Sequence, residues 1–234
     1  MSVAANLPAI HERIMRAASR AGRNPETIAL MAVTKTQPAS RIVEAYEAGQ
    51  RLFGENRVQE FADKCGALGP ISDAEFHMIG HLQSNKAGKA VEIFRAVDSL
   101  DSAKLGDRLN AAAAKLDKII GVLIEINIAG EEAKSGIAAD SPELEQILSA
   151  APRWTNLRLQ GLMTVPPFTE DPEGARPYFR KLRELRDSLA GRNLPSVKFD
   201  QLSMGMSHDF EVAIEEGSTC VRVGTAIFGE RAKA

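Results

Sequence analysis

The sequence predicts an α/β protein, a single (β/α)8 TIM barrel with an extra N-terminal helix. The chain has 234 residues, and one such barrel takes roughly 250 residues. Eight apolar runs of strand length recur along the chain, and helix-length segments separate them. No linker or low-complexity segment divides the chain, so residues 1–234 are expected to form a single domain.

The extra helix comes first. Asn6 is its expected cap, and Leu7, Ile10 and Ile14 recur at helical spacing until Gly22 stops the run.

The eight runs are predicted strands because they are apolar and rich in β-branched side chains. They cover residues 28–35, 51–56, 75–81, 94–100, 121–128, 157–165, 197–205 and 219–228. Strands that alternate with helices predict a parallel sheet with right-handed crossovers. Because no strand is left over, closure into a barrel is favoured over the alternative, a doubly wound open sheet.

Start and stop signals place helices between the strands. Ser84, Asp101 and Ser141 are the expected caps, and Pro142 suits the first turn of its helix. The predicted helices cover 40–49, 86–94, 102–116, a segment from Ser141 onwards, 173–191 and 209–217.

The composition excludes several functions. Hydrophobic residues make up 44% and charged residues 26%, as in globular proteins that dissolve in water. The formal net charge is −2 and no basic block occurs, so a nucleic-acid partner is not expected. Neither a signal peptide nor a membrane span is predicted. Cys65 and Cys220 lie far apart and match no metal motif, which favours a reducing compartment, the cytoplasm.

Active sites of such barrels lie at the carboxyl ends of the strands. The polar residues that gather there are Lys35, Asn56, His81, Asn127, Thr164, Ser203, Gly224 and Thr225. Lys35 ends an apolar strand and shares a face with Val33 and Met31. If that face points inward, the lysine pKa is depressed and the amine suits imine formation with an aldehyde. The alternative is a lysine that leaves the strand into solvent.

Two loops predict a phosphate site. TIM barrels commonly bind phosphate with the loops after strands 7 and 8, which here carry LSMGMS (202–207) and VGTAIFG (223–229). Gly205 and Gly224 allow close backbone approach, and Ser203 and Thr225 offer hydroxyl donors. Ordinary turn chemistry is the alternative.

Arg222 is expected to share a face with Gly224. An arginine that points into a barrel needs an acceptor, and two kinds remain open. One is an unprotonated ring nitrogen of a ligand, and the other is a carboxylate such as Glu125 or Asp200. His77 and His81 have helical metal-ligand spacing, but their run is a predicted strand, so no metal site is expected.

Together these segments resemble the pyridoxal phosphate homeostasis protein family. The matching stretches, in chain order, are AVTKTQP, FGENRVQE, HMIGHLQSNK, VDSLD, INIAGEEAKSGI, GLMTVPP and LSMGMSHDFEVAIEEGSTCVRVGTAIFGER. They run from residue 32 to residue 231, and the last stretch is long enough to be highly specific.

The resemblance implies a barrel like the alanine racemase N-terminal domain, with pyridoxal 5′-phosphate (PLP) as cofactor. It implies that Lys35 forms the Schiff base and that Arg222 faces the pyridine nitrogen. Phosphate contacts would come from Ser203, Gly224 and Thr225. The remaining site residues that it implies are Asn56, which flanks the ring, and Met163, Met206 and His81, which line the site.

The implied function is intracellular PLP homeostasis, in which the protein carries or buffers the cofactor with little or no catalysis. An alanine-type racemase needs a second acid/base opposite the lysine, and the only tyrosines, Tyr46 and Tyr178, lie on predicted helices. The expected partners are PLP and PLP-dependent apo-enzymes, and a monomer is favoured. The alternatives are a weak amino-acid racemase that uses His81 or water, and a lysine-imine enzyme that acts on phosphorylated sugars.

Overall fold

A computed structural model of the chain describes residues 2–131, 134–192, 194–195 and 197–229. Eight parallel strands follow one another around a closed barrel, and the last pairs with the first, which confirms the predicted fold class. The strands are β1 Ala29–Val33, β2 Leu52–Glu55, β3 Glu75–Met78, β4 Ala96–Leu100, β5 Ile120–Glu125, β6 Leu157–Met163, β7 Gln201–Ser203 and β8 Cys220–Val223.

Helices cover the outside of the barrel. Within the described ranges they are α1 Val3–Arg20, α2 Ala39–Glu47, α3 Val58–Cys65, α4 Ala87–Ile93, α5 Ala103–Lys115, α6 Pro142–Ala150, α7 Arg176–Ala190, α8 Phe210–Glu215 and α9 Thr225–Phe228. The sequence did not predict α3, because this short helix buries only Val58 and Phe61. No helix of these ranges is long and apolar enough to cross a membrane.

Several strands end earlier than predicted. The prediction that the last strand covers 219–228 is wrong, because the backbone leaves the extended conformation at Gly224 and α9 begins at Thr225. Strand β7 also ends before Gly205, whose φ of +92° is incompatible with a strand. In both places a glycine turns the chain at the carboxyl end of the barrel.

Three predicted caps are wrong in detail. Helix α1 begins at Val3 with Ser2 as its cap. The hydroxyl of Ser102, rather than Asp101, accepts the Leu105 N–H at the start of α5. Ser84 lies in a short 3₁₀ turn that precedes α4. In α1 and α5 the capping hydroxyl lies one to four residues from the expected one, whereas no side chain caps α4; all three helices are nevertheless present.

Helix α1 packs along the junction of the first and last strands. Its predicted apolar face of Leu7, Ile10 and Ile14 is buried, and it lies against α2, α8 and α9. The Asn6 side-chain amide donates 2.8 Å to the Ile227 carbonyl, and the Val3 N–H donates 2.9 Å to Glu44. The extra helix therefore ties residues near both ends of the described chain across the β1–β8 junction.

Candidate functional site

Lys35 lies two residues beyond the end of β1, at the carboxyl end of the barrel. It is half-buried and begins a turn, since β1 ends at Val33. The next residue, Thr36, has a φ of +64°, a left-handed conformation that is strained for a β-branched side chain. Such strain persists only where surrounding contacts hold the backbone in place.

Helix α3 supplies those contacts through the amine of Lys64. Its Nζ donates 3.0 Å to the Thr34 carbonyl and 3.3 Å to the Gln37 carbonyl. These two carbonyls lie on either side of Lys35 in the chain. One cation from a neighbouring helix therefore fixes both ends of the turn that carries Lys35.

Two carboxylates complete this network. Glu55, at the end of β2, has a fully buried side chain that accepts 2.6 Å from the Thr34 hydroxyl and pairs with Lys64 at 2.8 Å. Burial raises the pKa of Glu55, and its second oxygen has no partner among the described residues. Glu60 accepts the Thr36 N–H at 2.6 Å and lies 3.2 Å from Lys64. The charged groups thus hold Thr36 in its strained conformation.

Asn56 follows β2 directly, as the sequence predicted. Its side-chain oxygen is buried, and no donor in the described part of the chain reaches it. A Cβ on Gly80 would lie only 2.4 Å from the Asn56 carbonyl oxygen, so glycine is needed for the ends of β2 and β3 to approach. A buried oxygen without a donor costs free energy, which a ligand that donates a hydrogen bond would recover.

Arg222 lies inside the barrel with only 4% of its surface exposed. It donates 2.6 Å and 2.7 Å to the carbonyl and hydroxyl of Ser203, and 2.7 Å to the Thr164 carbonyl. Burial lowers the pKa of the guanidinium. An arginine has five N–H donors. The described chain engages three of them, all with uncharged oxygens, so two remain available.

The two carboxylates considered as partners of Arg222 do not accept its hydrogen bonds, which go to Ser203 and Thr164. Neither forms an ion pair with it in the described ranges. Glu125 accepts 2.7 Å from the Ser135 hydroxyl, and burial raises its pKa. Asp200 is exposed. Glu125 acts on Arg222 through its charge without a hydrogen bond, so the available donors of Arg222 suit a ligand acceptor.

The loops after β7 and β8 are joined by Ser207, which the sequence did not single out. Its hydroxyl oxygen lies 3.2 Å from the Gly224 nitrogen and 3.4 Å from the Ala226 nitrogen, and it accepts both N–H groups. Gly205 is required in the first loop, because a Cβ there would lie 2.5 Å from the Ala213 Cβ. Thr225 is exposed at the start of α9. The two loops where phosphate was predicted thus meet at the Ser207 hydroxyl, which accepts the Gly224 and Ala226 N–H groups in this structure.

Ser203 lies in a different place from Thr225. It ends β7, is fully buried, and contacts the Arg222 guanidinium through its hydroxyl. Among the other predicted residues, Met163 is fully buried at the end of β6 and Met206 is half-buried in the β7–α8 loop. Asn127 stabilises the loop after β5, in which its side-chain oxygen accepts the Gly130 N–H at 3.1 Å.

The two histidines of HMIGH occupy different environments. His81 is 57% exposed after β3, and its ring lies 3.1 Å from the Asp101 carboxylate. His77 lies inside the barrel, 3.2 Å from Asp98. Burial disfavours the charged imidazole of His77, but the charge and hydrogen bond of Asp98 outweigh burial and raise its pKa. The described chain contains no group of three or more metal-ligating side chains.

Comparison with known proteins agrees with this geometry. The family model for the alanine racemase N-terminal domain matches residues 5–232. An alanine racemase from Clostridium difficile superposes with a TM-score of 0.72 over 99% of this chain and 57% of that one, at 14% identity. Fold and site therefore define the class: barrels of the alanine racemase N-terminal type.

Closer relatives narrow the class. A protein of Aquifex aeolicus called pyridoxal phosphate homeostasis protein is 46% identical over 231 residues, 99% of each chain. PipY of Synechococcus elongatus, solved with PLP bound, is 35% identical and superposes with a TM-score of 0.78 over 94% of this chain and all of that one. The chain belongs to the pyridoxal phosphate homeostasis protein family, as its motifs suggested.

Proposed function

We propose that this protein binds PLP covalently through Lys35 and carries or buffers the cofactor in the cell, with little or no catalysis. One observation carries the proposal: the Lys35 turn and the phosphate loops follow neighbouring strands. A Cβ placed on Gly224 would lie 3.5 Å from the Val33 carbonyl oxygen, two residues before Lys35. An amine and a phosphate site this close suit a phosphorylated aldehyde.

The described residues fit each part of PLP. Ser207, Gly224 and Thr225 bind the phosphate, and the unpartnered oxygen of Asn56 accepts a hydrogen bond at the ring. Arg222 donates one of its available N–H groups to the pyridine nitrogen. Ser203 orients Arg222, a role that differs from the phosphate contact suggested by the resemblance. Met163, Met206 and His81 line the site.

Bound PLP supplies an aldehyde that joins an amine, and a ring that withdraws electrons most strongly when its nitrogen is protonated. Arg222 does not give up a proton, so it keeps that nitrogen neutral and weakens electron withdrawal. Tyr46 and Tyr178 lie on the outer helices α2 and α7, and the Tyr46 hydroxyl donates to Asp73. Neither tyrosine serves as an acid/base opposite Lys35, which favours binding over racemisation.

The proposal also covers the cellular compartment, the oligomeric state and the proteins that receive PLP. The protein acts in the cytoplasm as a monomer, and PLP-dependent apo-enzymes receive the cofactor. Cys65 and Cys220 are both free thiols, which suits a reducing compartment.

The visible spectrum of the purified protein, before and after borohydride, tests PLP attachment. After incubation with PLP and removal of unbound cofactor by gel filtration, wild type should be yellow, and reduction should fix the cofactor on the peptide that contains Lys35. Lys35→Ala should stay colourless, whereas Lys181→Ala, at an exposed lysine of α7, should behave like wild type. A colourless wild type, or equal labelling of the Lys35→Ala variant, would contradict the proposal. Rapid interconversion of D- and L-alanine would establish a racemase instead.

A further inference from the structure

A groove on the outside of the barrel separates α4 from α5. Its cavity of about 470 Å³ is lined partly by small residues, including Gly88 and Ala111. A second cavity of about 440 Å³ shares Ser84, Asn85 and Lys104 with the first. This second cavity reaches the His81 and Asp101 side chains, at the carboxyl end of the barrel. The groove therefore runs from the outer helices to the rim of the proposed PLP site.

Three cations line the groove from one face of α5. Lys104, Arg108 and Lys115 are spaced at four and seven residues, which places them on a common helical face. No described carboxylate lies within ion-pair distance of any of them. The carboxylate of the groove, Glu92, pairs with Lys89 at 2.7 Å. The positive charge of this face is thus not neutralised within the described chain.

On helix α7, in contrast to α5, the cations of one helical face are paired with a carboxylate. Arg176, Arg180 and Arg183 also share one helical face, and all three donate to the Glu216 carboxylate at 2.9–3.1 Å. The chain as a whole has a formal net charge of −2. An unpaired basic stripe on α5 therefore differs from both the matching cluster on α7 and the overall charge.

The spacing of the cations indicates the shape of their ligand. From Lys104 to Lys115 the helix rises about 16 Å, at 1.5 Å per residue. A single phosphate group needs donors that converge on one point, whereas these three cations are spread along a line. Such a line suits an extended polyanion, and glutamate and aspartate side chains along a polypeptide segment have this form.

We propose that the α4–α5 groove binds an acidic segment of a partner polypeptide, and that this partner is an apo-enzyme that takes PLP from the adjoining rim. The second half rests on the proposed function. Docking here brings the recipient to the end of the barrel from which the cofactor leaves, and raises its effective concentration at that end.

Binding is tested with a fluorescein-labelled oligoglutamate peptide and the full chain, by fluorescence anisotropy at low salt. The variant Lys104→Glu/Arg108→Glu should bind about tenfold more weakly or worse, because two attractions become repulsions. The control Lys181→Glu/Lys198→Glu changes net charge equally at exposed lysines outside the groove and should bind like wild type. If the groove variant does not fold, Lys104→Gln/Arg108→Gln replaces it.

Equal losses in both variants would overturn the proposal, because net charge alone would then explain binding. Displacement of the peptide by a short single-stranded RNA at lower concentration would overturn it too, in favour of a nucleic-acid surface.

The recipient's identity is tested by the rate at which the PLP-loaded protein restores activity to an apo-aminotransferase. The groove variant should transfer about tenfold more slowly at low salt, with an unchanged spectrum of bound PLP. Normal transfer by a variant that has lost peptide binding would overturn the role of the groove in delivery. If the wild type never acquires the PLP spectrum, the proposed function fails, while the peptide result still decides the docking site.

Discussion

The two ends of the barrel differ in whether their buried polar groups have hydrogen-bond partners. At the carboxyl end, Glu55, Asn56 and Glu125 each keep a buried oxygen without a partner in the described chain, and Arg222 keeps two available N–H groups. At the amino end, the interior His77 is paired with Asp98, and no buried oxygen there lacks a partner among the described residues. The carboxyl end therefore has polar groups available to hydrogen-bond a ligand. At the amino end the polar groups bond to one another and stabilise the fold.

The largest expected effect comes from removing the cation that fixes the Lys35 turn. Lys64→Met leaves the Glu55 carboxylate buried without its partner, so the free energy of unfolding should fall by about 3–5 kcal/mol. The Thr34 and Gln37 carbonyls also lose their bonds to Lys64, so PLP attachment should weaken. Urea denaturation and PLP titration by absorbance measure the two effects.

The double variant Glu55→Gln/Lys64→Met separates stability from positioning. It removes the buried charge, so much of the lost stability should return, while PLP attachment stays weak because the turn remains unfixed. Full recovery of PLP affinity in the double variant would show that Lys64 acts on stability alone.

A smaller effect is expected at the amino end. Asp98→Asn removes the charge beside His77 and should lower the free energy of unfolding by about 2–3 kcal/mol, without changing PLP affinity. If Asp98→Asn also lowered PLP affinity, the amino end would not be separate from ligand binding at the carboxyl end.

The cost of Asp98→Asn should depend on pH. The folded state raises the pKa of His77, so the stability that this pair adds is complete below the unfolded histidine pKa of about 6.5. It is lost as the pH rises through the raised value. Unfolding wild type and variant at about pH 5.5 and about pH 9 should therefore give a larger difference at the lower pH. A constant difference would exclude a charged His77.

The smallest effect concerns the two non-glycine residues of the described chain that have positive φ. Thr36 lies beside Lys35, and Asp117 lies before β5, at the amino end. Replacing either with glycine removes about 1 kcal/mol of backbone strain but adds a similar entropic cost, so stability should change by less than about 1 kcal/mol. PLP affinity should change only in Thr36→Gly. Equal behaviour of the two variants would show that the strain at Thr36 has no part in presenting Lys35.

Much of this arrangement could be predicted from local sequence. Strand patterning located Lys35, Asn56 and the two glycine loops at the correct end, because position along a strand fixes the end of a parallel barrel. The partners of Arg222 could not be predicted, since Thr164 follows β6 and Ser203 ends β7, and pattern alone does not show which side chains meet across strands. Pattern alone also could not separate a strand from a four-residue helix at Thr225.

The network around Lys35 was missed for a related reason. Helix α3 is too short for a clear apolar period, so Glu60 and Lys64 had no predicted element to place them. Ser207 lay within a predicted phosphate loop, and its position two residues after Gly205 was the available signal. Chemistry at one strand end is readable from sequence, whereas contacts made from neighbouring helices depend on three-dimensional packing.

The contact between Asn6 and Ile227 has a consequence for synthesis on the ribosome. Helix α1 emerges before the strands, yet its packing surface on α8 and α9 is the last part of the described barrel to leave the exit tunnel. Until then the helix exposes an apolar stripe that chaperones can bind. The final closure pairs the first strand with the eighth, a contact between sequence-distant segments that makes folding slow. The nascent chain therefore cannot hold cofactor in a finished site before β8 and α9 have left the exit tunnel.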